Sequence, residues 1–321
     1  MKKTLLFTAM LFTTALSMGE TITIYAPESM KWLEREFKED FFNKTGDEIK
    51  FVGIKGLVPR LKLEKNNPKS DLVLGLTQIS GEQAKVEGLL LPYKPENSSK
   101  ISKPEFIMDR DWFLTPFDYG AMAVNFNRKT LTSPPKSFQD IKQMQKQLIT
   151  IDPRSATGQE LLLWSVAVYG ENWKKFWEEM KPAILTVTSD WDDAFAKFSA
   201  GESPMMLGYA TSNAYFYSED GDMIYDSFIP EEGAYIYLEG AALTKKKNVK
   251  EGSKKFIEYL LTPEVQQKLV NSNYMLSVTD IQLQKAFQYI PTSDKIVTLD
   301  SSEAVKNLDR WKQELVDILS K

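Results

Sequence analysis

The stretch TITIYAPESMKWLEREFKEDFFNKTGDEIKFVG, residues 21–53, decides how the chain is built. Thr21 to Tyr25 alternate polar and apolar side chains at period two, which predicts a strand. Trp32, Leu33, Phe37, Phe41 and Phe42 recur at helical spacing over residues 30–42, and Ile49 to Val52 predicts a second strand. Strands that alternate with helices predict an α/β layer architecture with parallel strands.

Outward from that unit the alternation continues. Leu57 to Lys65 reads as a helix that stops before Asn66-Asn67-Pro68, and Asp71 to Leu76 as a third, buried strand. Ala121 to Phe126 and Leu148 to Ile151 are further strands. The loop Asp152 to Thr157 leads into a helix carrying Leu161 to Trp164, Val166 and Val168. Trp173, Phe176 and Trp177, at i, i+3 and i+4, form one buried helix face. A helix from about Asp192 ends near Gly201, a left-handed cap, and Pro204 to Tyr209 follows as a strand. Thr262-Pro263-Glu264 opens a helix with proline at its first position and an acid in its first turn. Leu308, Trp311, Leu315, Ile318 and Leu319 make an amphipathic terminal helix that docks on the body.

Composition narrows the function. A length of 321 residues exceeds what one hydrophobic core usually serves, so two lobes are expected. With 42% hydrophobic and 12% aromatic residues the chain buries enough apolar surface to fold. It has no cysteine and no histidine, which excludes disulfides, thiolate zinc sites, cysteine nucleophiles and Ser-His-Asp triads. A formal net charge of −4 gives no general attraction to polyanions, so nucleic acid is not an expected partner. A small molecule or a protein is.

The first residues set the compartment. Met1-Lys2-Lys3 is a basic start, Thr4 to Leu16 is uncharged and apolar, and Ala15, Ser17 and Gly19 supply small residues for a cut. Residues 1–19 therefore read as a signal peptide; the run ends at Glu20, short of the roughly 20 apolar residues of a membrane span. Removing it takes Lys2 and Lys3 and no acid, which moves the formal net charge from −4 to −6. Without cysteine there is no site for N-terminal lipidation. A soluble, unanchored, periplasmic monomer is expected.

Several segments occur in a familiar succession: DLVLGL (71–76), PFDYG (116–120), DPRSATG (152–158) with LLLW (161–164), GES (201–203), GYATS (208–212) with Ala214-Tyr215, and FIEYLLTPEVQQ (256–267). From about Thr21 to Tyr274 the chain resembles the periplasmic thiamine-binding proteins of ATP-driven thiamine transporters, in the type II solute-binding superfamily. The resemblance implies a two-lobed type II periplasmic binding protein fold with crossing hinge strands and no catalysis. It implies a cleft holding thiamine, thiamine monophosphate or thiamine pyrophosphate, with no cofactor, and delivery to an inner-membrane ABC permease. The expected division is lobe 1 over 20–117 and 237–290, lobe 2 over 118–236, and a C-terminal helical segment, 291–321, not assigned to either lobe. The hinge falls near Phe117 to Gly120 and near residues 235–242.

The residues can be weighed beside that likeness. In open α/β sheets ligands lie beyond the carboxyl ends of the strands, at helix N-termini. The amides and hydroxyls of Ser155, Thr157 and Gly158, with Arg154 nearby, suit an anionic group such as a ligand phosphate. Thr157-Gly158-Gln159-Glu160 also reads as a capping box with Glu160 reaching back, and that carboxylate would repel phosphate. For the cationic end of the ligand, aromatic faces are worth roughly 0.5 to 2 kcal/mol each. Tyr25, Trp32, Trp191, Tyr209 and Tyr215 stand at strand ends and helix starts, and by resemblance occupy pocket positions; Tyr274 replaces a family tryptophan. Lys55 and Thr77 stand where the family carries acids, so Glu28 is the candidate replacement counter-charge.

Other readings stay open at this level. Asp192-Asp193 and Glu231-Glu232 are acidic pairs of the kind used in glycoside hydrolysis, though adjacent acids at helix starts and turns usually serve the dipole or solvation. Ferric ion or another organic cation (an amine) is the alternative cargo, since hard iron favours oxygen donors and the chain has 13 tyrosines.

Overall fold

A computed structural model describes residues 19–217 and 223–320. The expected signal peptide, Gly19 apart, lies outside the described residues. The chain opens with β1 (Thr21–Ala26), α1 (Trp32–Thr45), β2 (Glu48–Gly53), α2 (Leu57–Leu63), β3 (Leu72–Thr77), α3 (Gln78–Val86) and β4 (Leu90–Leu91). The long β5 (Thr115–Asn127) crosses into a second lobe of α4 (Phe138–Lys142), β6 (Leu148–Ile151), α5 (Ala156–Tyr169), α6 (Trp173–Met180) and β7 (Ile184–Thr188). That lobe continues through α7 (Trp191–Ser199), β8 (Met205–Tyr209), α8 (Ser212–Phe216) and β9 (Tyr225–Phe228). β10 (Ala234–Thr244) crosses back, followed by α9 (Glu251–Leu260), α10 (Pro263–Asn273), β11 (Leu276–Ser277), β12 (Ile296–Val297) and α11 (Ser301–Ser320).

The strands run in the order β2-β1-β3-β10-β5-β8-β6-β7. β1 is parallel to β2 and β3, and β6 is parallel to β7 and β8, as alternating strands and helices require. Between these two parallel sets lie β5 and β10, antiparallel to each other, with Asp118 opposite Glu239 and Gly120 opposite Tyr237. The first half of β5 pairs with β10, and its second half with β8 and β9. The register of β10 slips on both sides of Gly240, a bulge that turns the strand where the lobes meet.

Each lobe has its own core. In lobe 1, Ile22, Ile24, Leu72 and Leu74 pack on Phe37, Phe41 and Phe256, while the opposite sheet face sets Tyr25, Val73 and Leu76 on Leu57, Val58 and Leu61. In lobe 2 the expected face of Trp173, Phe176 and Trp177 is buried. Gly201 takes φ +80° and closes α7 as expected. The terminal helix α11 buries Leu308, Trp311 and Leu315 in the lobe 2 core and also leans on α3, which follows β3 of lobe 1. Beside it Thr77 Oγ1 donates to Glu160 Oε1 at 2.8 Å, tying the end of β3 to α5.

Asp71 gives the lobe 1 sheet a pH limit. Its buried carboxylate accepts from the Thr23 amide at 2.9 Å and from Lys246 and Lys250 at 2.6 and 2.8 Å. Burial raises its pKa, but the two lysines and the amide overcome this and hold it below the usual aspartate value. A lowered folded pKa stabilises above the unfolded value, about 3.9, and that stability is lost as pH falls through the folded one. Asp71→Asn is therefore expected to lower stability by about 2 kcal/mol at pH 7 and to flatten its decline below about pH 4. Urea midpoints across pH would check this; parallel curves for the two proteins would refute it.

Candidate functional site

The cleft between the lobes holds a cavity of about 410 Å³. Local sequence explains its walls. Asp190 caps α7 by accepting from the Asp193 amide at 3.0 Å, which sets Trp191 at the first helical position, facing the cleft. Trp191 stacks on Phe195 one turn later, with ring centroids 4.9 Å apart and planes 8° apart. Phe195 meets the edge of Tyr215 at 5.5 Å, and Tyr215 meets Tyr274 edge-on at 5.1 Å. Tyr209 ends β8, 6.5 Å from Trp191 and 5.4 Å from Tyr237, and its hydroxyl is hydrogen-bonded to Thr157 Oγ1 at 2.9 Å.

The facing wall comes from lobe 1, where Pro27, Met30 and Trp32 line the cavity and Trp32 rests edge-on against Phe37 at 5.9 Å. Tyr274 closes α10 in the left-handed conformation, φ +54°, its amide donating to Val270. A tyrosine there costs about 1 kcal/mol or more relative to glycine. The ring is held over the cleft at that cost.

The floor is acidic. Glu239, 4% exposed, lines the cavity from β10 and accepts from the Tyr237 hydroxyl at 2.9 Å. Burial pushes its carboxyl up to about 7, against hydrogen bonds from Tyr237, Asp118 and Asn273. Burial, and then the charge of Glu239, hold Asp118 well above the aspartate range. Asp192 at the cavity edge is raised by burial, then by Asp190, then by Glu28 from the other lobe.

Trp32, Thr157, Trp191, Tyr209, Tyr215 and Tyr274 are thus brought together. Four other sequence candidates stand elsewhere. Tyr25 packs against Leu57 and Leu61 on the far sheet face, its hydroxyl on Glu64 at 3.1 Å. Glu28 is exposed and packs on Gly53 at the rim. Ser155 is the true cap of α5, accepting from the Gly158 amide at 3.1 Å and donating to the Asp152 carbonyl at 2.8 Å. Gly158 packs on that carbonyl: a Cβ there would lie 1.9 Å from Asp152 O. The capping box expected at Thr157 does not form, because the helix starts earlier, and Glu160 turns inward to Thr77 and Gln159. Arg154 is paired with Asp152, which the guanidinium holds below its usual range.

Sequence reasoning missed Phe195, Tyr237, Glu239 and Asn273. One signal was present: an acid inside the otherwise apolar strand AYIYLEGAALT, residues 234–244, is a buried charge that needs a reason. For iron, the buried phenols of Tyr209 and Tyr237 are raised by burial, which opposes tyrosinate formation.

Residues 35–295 match the model of a family described as bacterial extracellular solute-binding proteins. The chain belongs to that family. It is 32% identical over 307 residues to the thiamine-binding periplasmic protein of Brucella suis biovar 1 (strain 1330), covering 92% of this chain and 91% of the relative. A solved periplasmic thiamin binding protein superposes with a TM-score of 0.86 at 28% identity, covering 94% of this chain and 96% of that one. The apo ferric ion-binding protein A of Pasteurella haemolytica shares the fold, with a TM-score of 0.79 at 17% identity over 93% of this chain and 97% of that one. The architecture is the two-lobed type II periplasmic binding protein fold. Among the described residues no helix is long and apolar enough to cross a membrane.

Proposed function

We propose that the chain is a periplasmic receptor that captures thiamine in the interlobe cleft and presents it to an inner-membrane ATP-driven permease, as a monomer and without catalysis. The observation that carries this reading is the cavity itself: aromatic faces from both lobes converge over a buried acidic floor. Flat rings stack on such walls, and a fixed positive charge suits such a floor. A ligand that touches both lobes binds the closed state better, which is the differential affinity that closure requires. The likeness to thiamine-binding relatives points to the same cargo.

Native mass spectrometry of protein purified without refolding, followed by calorimetry with thiamine, tests the reading. A retained mass of thiamine or one of its phosphates supports it; iron, or no response to added thiamine, refutes it. The phosphate group gains little here. Ser155 is spent on its own helix and Arg154 on Asp152, which leaves Ala156 and Thr157 at the α5 terminus to face a phosphate. Thiamine monophosphate and pyrophosphate are expected to bind no more than about tenfold tighter than thiamine, a difference of about 1.4 kcal/mol. Competition calorimetry that ranks either phosphate above that margin would show the helix terminus engaged.

A further inference from the structure

The acidic floor lies on the two strands that cross between the lobes. Asp118 of β5 faces Glu239 of β10 across the antiparallel register, Asn273 Nδ2 donates to both carboxyls, and burial together with the neighbouring charge raises both. Asp118 is 1% exposed; its Oδ2 accepts from Asn273 Nδ2 at 2.6 Å, whereas its Oδ1 receives no N–H or hydroxyl. Glu239 Oε2 takes a longer 3.4 Å bond from the same amide. Around the pair stand Tyr237 on β10, Asn273 from α10, Tyr209 from β8 and Glu160 from α5. None of these is basic. Gly75 of β3 lets Glu239 approach, since a Cβ there would lie 3.3 Å from Oε1.

Two acids buried against each other are costly unless something positive compensates them. The tyrosines and Asn273 supply hydrogen bonds but no charge. Glu239 nevertheless opens onto a cavity whose walls suit a flat cation.

We propose that Asp118 and Glu239 form the subsite for the positively charged ring of the cargo, and that the ring displaces a proton from the pair to solvent as it binds. The inference rests on the thiamine reading above and adds how the charge is recognised. Before binding, the pair holds its proton near neutrality. A cation beside it favours the doubly ionised form, so protons compete with the ligand and affinity rises with pH.

Calorimetry on the whole chain in buffers of different ionisation enthalpy reads the proton directly, without a variant. Wild-type protein is expected to release about half a proton per thiamine at pH 7, rising towards one at pH 6, and to bind about tenfold more weakly at pH 6 than at pH 8. The neutral isostere in which carbon replaces the quaternary nitrogen (3-deazathiamine) is expected to release none and to show a flat profile. Glu239→Gln is expected to weaken thiamine at least tenfold, with the isostere unchanged as the check that the variant is folded. Asp118→Asn should likewise abolish proton release.

Thiamine binding in wild type with no proton release, and with the isostere equally tight, overturns the subsite while leaving the receptor reading intact. If neither compound binds wild type, the thiamine reading fails and the subsite falls with it.

Discussion

Trp191→Ala weakens thiamine binding at least tenfold, about 1.4 kcal/mol, and leaves the fold intact. The indole stands on Phe195 as the first of a run of rings that continues through Tyr215 to Tyr274. Its removal takes away a stacking face worth up to about 2 kcal/mol to a desolvated cation. Beneath it, α7 is anchored by Ala194 and Phe198, both fully buried, and capped by Asp190, so the helix does not depend on the indole. Tyr215→Ala reaches the same tenfold by a different route. That ring is 54% exposed, so little core packing is lost, and the effect falls on the ligand and on the edge contacts with Phe195 and Tyr274. Titration calorimetry of both variants decides the matter. Unchanged affinity in the pair would mean that the aromatic wall is not where the cargo sits.

Gly158→Ala carries the largest expected cost to stability, about 3 kcal/mol. The new methyl would lie 1.9 Å from the Asp152 carbonyl oxygen and 2.5 Å from its carbon, and both atoms are main chain. No rotamer relieves such a clash, so the loop from Asp152 must move away from α5. That motion breaks the Ser155 cap and shifts Thr157 from Tyr209, so affinity for thiamine falls together with the urea midpoint. A variant less than about 1 kcal/mol below wild type would show that the loop yields freely.

Much of this architecture is legible in residues 21–53 and their continuation. Leu148–Ile151 emerges with the expected bounds, and the Trp173 face, the Gly201 cap and the proline start of α10 form because each rests on local chemistry. Local chemistry also placed Trp191 and Tyr209, since a helix start and a strand end point at a cleft. Tyr25 shows the limit. It stands at the end of β1 as expected, but a residue's position along a strand does not say which face it takes. Both faces of β1 are covered, Ile24 packing on one side and Tyr25 on the other, so hydrophobicity carries no choice between them.

The floor was illegible for another reason. Glu239 meets Asp118 only because β5 and β10 cross, 121 positions apart in sequence, and no local pattern encodes that pairing. Glu28 was the acid visible near the expected pocket, and it lies at the rim. Thr157-Gly158-Gln159-Glu160 fits a cap by spacing, yet Ser155 enters the helix two residues sooner and frees Glu160 to face Thr77.

That bond and α11 together bind the spine of the molecule. With Trp311 seated in one cover and α3 pressed against the same helix from the other, the two covers are joined along that side. On the proposed reading, a permease that takes the cargo is expected to act at the lips marked by Glu28 and Asp192 rather than at the binding.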